Sequence, residues 1–236
     1  MKKKNKIIYA SYSEEYINNP QFHPKPLSEF KPEWYKKLPA KLPHPQKPFH
    51  NLISRIGSVK ICPSFTDIFN EGYVITAPMD YWFKYNNGDW EWETPLVLHK
   101  TADMDNHYNE QFVNHLPSGH GIKFIFKINL PLEIITPKGI WIRQMEMPFS
   151  YNKSWFPITG IQNTDKVHQV NIQIALTAKK GEVLIKQGTP LAVHVPFKKE
   201  IFDTEFVNLN KNYKLKQKLA GKDLAIGGKF FGKYYR

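Results

Sequence analysis

Apolar and polar positions alternate in short blocks through the second half of the chain. Val170-Asn-Ile-Gln-Ile-Ala-Leu176 and Leu191-Ala-Val-His-Val-Pro-Phe197 are apolar, largely β-branched runs, and Leu132-Glu-Ile-Ile-Thr136 and Val183-Leu-Ile185 are shorter ones. Pro137-Lys-Gly139, Gly160, Lys180-Gly181 and Gly188-Thr-Pro190 punctuate them. This pattern predicts successive short strands joined by tight turns. Residues 73–77, 122–128 and 139–143 predict three more strands. Residues 81–85 and 89–93 carry alternating aromatic rings on either side of Asn87-Gly88, the dipeptide of a two-residue hairpin turn. The fold class that follows is mainly β, a barrel or a sandwich.

Helical pattern is scarce. Pro63 and Ser64 suit a helix start, and Phe65, Ile68 and Phe69 share one face of a short helix ended by Gly72. Pro32 could open a helical turn through Lys37. A helix over 204–219 has Asp203 or Thr204 to cap it and Gly221 beyond its end. Residues 20–48 hold eight prolines, which excludes a normal helix or a central strand there. The same stretch carries Phe22, Phe30, Trp34 and Tyr35, rings that need a surface to pack on, either the chain's own domain or a partner. The expected organisation is a proline-rich N-terminal arm (1–50), a β domain (51–200), and a C-terminal helix and tail (201–236).

Charge sharpens that division. Residues 1–60 carry 12 basic and 4 acidic side chains, residues 61–197 carry 11 and 13, and residues 198–236 carry 10 and 4. The net charge of +12 therefore lies at the two ends, around a near-neutral centre. Basic ends suit an acidic surface, whether a protein partner or nucleic acid. No apolar run approaches the roughly 20 residues of a membrane helix, so no membrane partner is expected. The basic start is followed by too short an apolar run for a signal peptide, and the lone Cys62 suits a reducing compartment, so a cytoplasmic location is expected.

Candidate chemistry is concentrated in residues 99–121, which read as a polar, histidine-rich loop. Asp103, Asp105, His107, His115 and His120 offer the carboxylate and imidazole donors of a divalent metal site, although the His-x-Asp/Glu spacing of a facial triad is absent. A bland reading of the same residues is a solvated loop whose histidines bond locally. No cofactor other than such a metal is expected. No Gly-x-Ser-x-Gly elbow or phosphate-cradling glycine loop occurs, and Cys62 before a proline reads as a small buried side chain. Partner-binding residues are expected in the two arms: Trp34, Tyr35, Lys36 and Lys37, and Phe230, Phe231, Tyr234, Tyr235 and Arg236. Rings interleaved with lysines also fit single-stranded nucleic acid.

Four segments in order resemble a family of uncharacterised proteins of bacteria and tailed phages. They are Cys62-Pro-Ser-Phe-Thr-Asp-Ile-Phe69 with Glu71-Gly-Tyr-Val-Ile75, Thr136-Pro-Lys-Gly139, Ile158-Thr-Gly-Ile-Gln-Asn-Thr-Asp165, and the stretch from Ile185 to Glu200. More remotely, Gly160-Ile-Gln-Asn-Thr-Asp165 and Ile185-Lys-Gln-Gly-Thr-Pro-Leu-Ala192 resemble the second half of trimeric dUTPases and dCTP deaminases. That likeness implies their β-barrel fold but not their hydrolysis. The family's catalytic acid falls on Asn163, and an amide is no general base. Its phosphate-binding Pro-Arg-Ser-Gly is replaced by Ile142-Arg-Gln-Met-Glu-Met-Pro148. The expectation is a non-catalytic binding or structural protein of a phage-type assembly, associating with itself or with other proteins through its arms. A metal-dependent enzyme and a nucleic-acid-binding accessory protein are the alternatives.

Overall fold

A computed structural model describes residues 6–43, 55–86, 89–94, 104–178, 181–208, 211 and 214. The chain divides into two units, Met1–Lys199 and Glu200–Arg236. In chain order the strands are β1 (Ile8–Ala10), β2 (Lys25–Pro26), β3 (Lys41–Pro43), β4 (Arg55–Gly57), β5 (Tyr73–Thr76), β6 (Tyr81–Asn86), β7 (Asp89–Glu93), β8 (Met104–His107), β9 (Phe124–Ile135), β10 (Ile140–Met145), β11 (Trp155–Pro157), β12 (Gly160–Gln162), β13 (Gln169–Leu176), β14 (Glu182–Ile185) and β15 (Pro190–Lys198). Short helices accompany them among the described residues, including α1 (Glu14–Asn18), α2 (Glu33–Lys37) and α3 (Pro63–Thr66).

One antiparallel sheet runs β1-β9-β13-β11, with β8 also on β9, and a second runs β12-β10-β15-β5-β2. A third sheet, β14-β6-β7, and the β3-β4 pair complete the set among the described residues. None of these sheets closes on itself, so the sandwich, not the barrel, is the architecture. Phe126, Ile128 and Ile174 of the first sheet, Ile75, Ile142 and Ala192 of the second, and Phe83 and Val183 of the third share one buried core. Alternation explains the choice of side: residues two apart on a strand face the same way.

Strand β9 departs from the expected pattern. Residues 122–128 and 132–136 read as two strands, yet β9 runs unbroken through Pro131. Its outer edge is shared: β8 pairs with Ile125–Ile128, and β1 pairs with Glu133–Ile135. Pro131 falls in the gap between these two partners, so its missing N–H costs no ladder bond. The Ser11 hydroxyl donates to the Pro131 carbonyl there. Gly160, expected in a turn, opens β12 instead and pairs with Gln144.

The proline-rich stretch is no detached arm. Tyr16, Phe22, Leu27 and Tyr35 are all buried. Leu27 and Tyr35 form a second core with Phe69, Val74 and Val193 on the outer face of the second sheet. Prolines allow this path because the segment uses only short pairings: β1 on β9, and Lys25 and Pro26 of β2 on β5. In the second unit, residues 204–208 are not helical as expected. Ile201, Phe202 and Phe206 are exposed, so no apolar face is buried to stabilise a helix over these residues, whereas Lys214, further along, is helical. The rest of the expected helix and the tail lie almost wholly outside the described residues.

One glycine is required by its surroundings. Gly72 has φ +85°, and a Cβ there would lie 2.7 Å from the His194 carbonyl oxygen. Gly72→Ala is expected to destabilise the fold by about 2 kcal/mol, from the left-handed backbone and the clash together. Urea denaturation measures it.

Candidate partner-binding cleft

The second core opens at one end into a cleft of about 290 Å³. Its apolar lining includes Phe30, Pro32, Met147, Phe149, Pro190 and Leu191, with Glu146, Ser150, Asn152 and Thr189 as its polar members. Four parts of the chain build it: the stretch before α2, the segment that follows β10, strand β11 with Trp155 and Pro157, and the start of β15.

Helix α2 turns two adjacent rings in different directions, as successive residues of a helix must. Tyr35 points inward, 5.1 Å from the Phe69 ring, and is 3% exposed. Its place is in the core, so it offers no contact surface to a partner. Trp34 remains 43% exposed and meets Phe149 edge-on at 5.8 Å. Lys36 and Lys37 are exposed beside it. The Lys36 ammonium lies 2.7 Å from Glu33. Lys60 donates to the Lys36 carbonyl at 2.8 Å, and the Lys31 ammonium lies over the Phe69 ring at 5.9 Å.

The segment after β10 is strained. Phe149 has φ +60° and Tyr151 φ +51°, the left-handed region that bulky side chains avoid. Local bonds hold it: Ser150 N–H donates to the Met147 carbonyl, and the Ser150 hydroxyl donates to Glu146. The Asn152 side chain accepts from Ser154 N–H at 2.9 Å. The strained backbone places Phe149 at the hub of an aromatic group. It stacks on Phe65 at 5.3 Å and lies 6.0 Å from Phe69 and 6.5 Å from Tyr151. Tyr151 itself is 73% exposed.

A different polar cluster lies inside the sandwich. Gln144, His194 and Tyr73 stand side by side on β10, β15 and β5. The Tyr9 ring stacks on His194 at 6.4 Å. His194 is fully buried, and neither ring nitrogen has a hydrogen-bond partner among the described residues. Burial pushes the imidazole down to about 4, so the ring is neutral at physiological pH. Closed to solvent, it can exchange no proton with a substrate.

The expected metal ligands do not converge. Among the described residues no three His, Cys, Asp or Glu side chains gather. Asp105 accepts from the neighbouring Asn106 N–H, His115 Nε2 bonds the Glu110 carbonyl at 2.8 Å, and His120 Nδ1 accepts from Ile122 N–H. Asp105 and His107 lie on β8, and His115 and His120 lie in turns beyond it, each occupied locally. Asp103 lies outside the described residues, as do Phe230, Phe231, Tyr234, Tyr235 and Arg236. Asn163 caps the turn after β12, its carbonyl accepting from Lys166 and Val167 N–H. Cys62 is half-buried before α3. No protein-family model matches the chain, and no curated protein matches it. Among the described residues no helix is long and apolar enough to cross a membrane.

Sequence reasoning found Trp34 but missed Phe30, Glu146, Phe149 and Tyr151. The signal available was Met147-Pro-Phe-Ser-Tyr151, two rings around a proline-marked turn directly after a strand.

Proposed function

We propose that this chain is a non-catalytic binding protein whose working surface is the cleft lined by Phe30, Met147 and Phe149, together with the exposed Trp34 and Tyr151 rings that meet Phe149 beside it. The observation that carries the reading is the strained backbone at Phe149 and Tyr151. Strain of this kind persists where the surroundings impose it, and it concentrates at ligand clamps. Here it supports an exposed ring that contributes little burial of its own. Half-exposed Trp and Tyr beside an apolar hollow are the anchors of protein interfaces. The flanking Lys31, Lys36 and Lys37 favour a partner that presents an apolar side chain beside carboxylates. Membership of a larger assembly, the expectation drawn from the basic, ring-rich ends of the chain, fits this role. Glu146 in the lining disfavours phosphate, which ranks nucleic acid below protein.

A displayed library of random peptides, panned on the intact protein, is expected to return sequences with an aromatic or aliphatic residue next to Asp or Glu. Trp34→Ala should lose these peptides. Tyr151→Gly should weaken them at least tenfold while leaving stability unchanged or raised by about 0.5–1 kcal/mol, because glycine relieves the left-handed backbone. Peptides that bind both variants as well as the parent would sink the reading. So would tight binding of single-stranded oligonucleotides with a steep loss in salt.

A further inference from the structure

A face elsewhere on the same unit has the complementary chemistry. Strands β14, β6 and β7 set Leu184, Trp82 and Glu93 in one row, and Glu182, Lys84 and Glu91 in a parallel row on the same side. The opposite side of these strands is the core side, with Phe83 and Val183 buried. Leu184 is 48% exposed and Trp82 half-buried. Asp80, Glu93 and Glu182 surround these two apolar groups in a shallow hollow of about 510 Å³. The one ammonium in the rows, Lys84, lies over the Trp82 ring at 5.9 Å. On a chain of net charge +12, this face is acidic, with an apolar centre.

Building on the proposed function of the Trp34 cleft, we infer that its partner is a second copy of this chain, which docks its Trp82–Leu184 face, ringed by Asp80, Glu93 and Glu182, against the cleft and its lysines. Charge decides the symmetry. A two-fold contact between two clefts would crowd like charges, the flanking Lys31, Lys36 and Lys37 and the lining Glu146 each near their own kind, and a contact between two acidic faces would press carboxylates together. The opposite-sign pairing satisfies both. The two surfaces share no lining residue, so each copy can use both at once. Such a contact is heterologous: it grows head to tail into a ring or a filament, not a closed dimer.

The test uses the intact chain and two variants, Trp34→Ser in the cleft and Glu93→Lys/Glu182→Lys on the acidic face. Sedimentation velocity across the micromolar range is expected to show the parent growing past two copies. Each variant alone should lose association at least tenfold, and an equimolar mixture should stop at a one-to-one dimer, because only one working pair of surfaces remains. Both carboxylates are exposed, so thermal melting of the second variant should match the parent. A parent that stays monomeric overturns the inference, as does assembly that survives Glu93→Lys/Glu182→Lys. The acidic–apolar library peptides separate the two claims. If Trp34→Ser abolishes their binding to a monomeric parent, the cleft reading stands and only the second copy is excluded.

Discussion

A chain lacking residues 1–43 is expected not to fold. The stretch reads as an appendage, but it supplies Tyr16 and Phe22 to the main core and Leu27 and Tyr35 to the second one. Emptying one such site costs about 2–5 kcal/mol. Four together, about 8–20 kcal/mol, are as large as the roughly 5–15 kcal/mol that holds a domain of this kind together. Strands β1 and β2 would also leave bare edges on β9 and β5. The single substitution Leu27→Ala, at a residue 1% exposed, should cost about 3 kcal/mol and keep a cooperative transition. Near-ultraviolet circular dichroism and urea titration check both. A truncated chain that melts cooperatively near the parent's temperature would show that the N-terminal stretch is an accessory to the fold.

The strands were legible in the sequence because their signal is local. Apolar blocks of the right length between Gly and Pro gave β5, β10, β13, β14 and β15, and alternating rings gave the β6–β7 pair. Two features were at most half legible because they depend on partners distant in sequence, although the rings of residues 20–48 did call for a surface, on the chain's own domain or on a partner. The continuity of β9 through Pro131 follows from how β8 and β1 divide its edge. The burial of the proline-rich stretch follows from the apolar outer face of the second sheet, where Val74 and Val193 need a cover. A run of prolines reports only what the backbone cannot do. The candidate cleft was half legible: Trp34 was visible as a ring among lysines. The left-handed Phe149 and Tyr151 leave no compositional mark, since the residues that favour that conformation, Gly and Asn, are absent at both positions. The histidine-rich segment left a metal site and a loop with local bonds both open, and the described residues, which do not include Asp103, fit the second. Donor-rich composition gave the ligands of a metal site, while the backbone carried them along an edge strand and into separate turns.

Stability is expected to fall on mild acidification because of one side chain. His194 is fully buried, its ring neutral, with its pKa pushed from 6.5 to about 4. The unfolded chain binds a proton on this residue at a higher pH than the folded chain does. Between the two values the unfolded state therefore holds more protons, and stability falls as pH drops from about 6.5 towards 4. The full gap is worth roughly 3 kcal/mol, since each pKa unit is about 1.4 kcal/mol. The neighbours of the ring do not cancel this: burial pushes the Tyr9 hydroxyl upward, so it stays neutral across the window, and Gln144 does not titrate. Surface carboxylates add their own slope, so the decisive quantity is the difference between the parent and His194→Leu. That variant also removes a buried ring whose nitrogens lack partners among the described residues, and replacing such a group by an apolar one of similar size is close to neutral or stabilising. Urea unfolding at pH 7 should show little difference between the two proteins, and at pH 4.5 the parent should be weaker by roughly 2–3 kcal/mol. Parallel pH profiles would mean that the folded protein lets His194 take up its proton, by parting β10, β15 and β5 at the middle of the second sheet or by admitting water to the ring, and would overturn the closed interior.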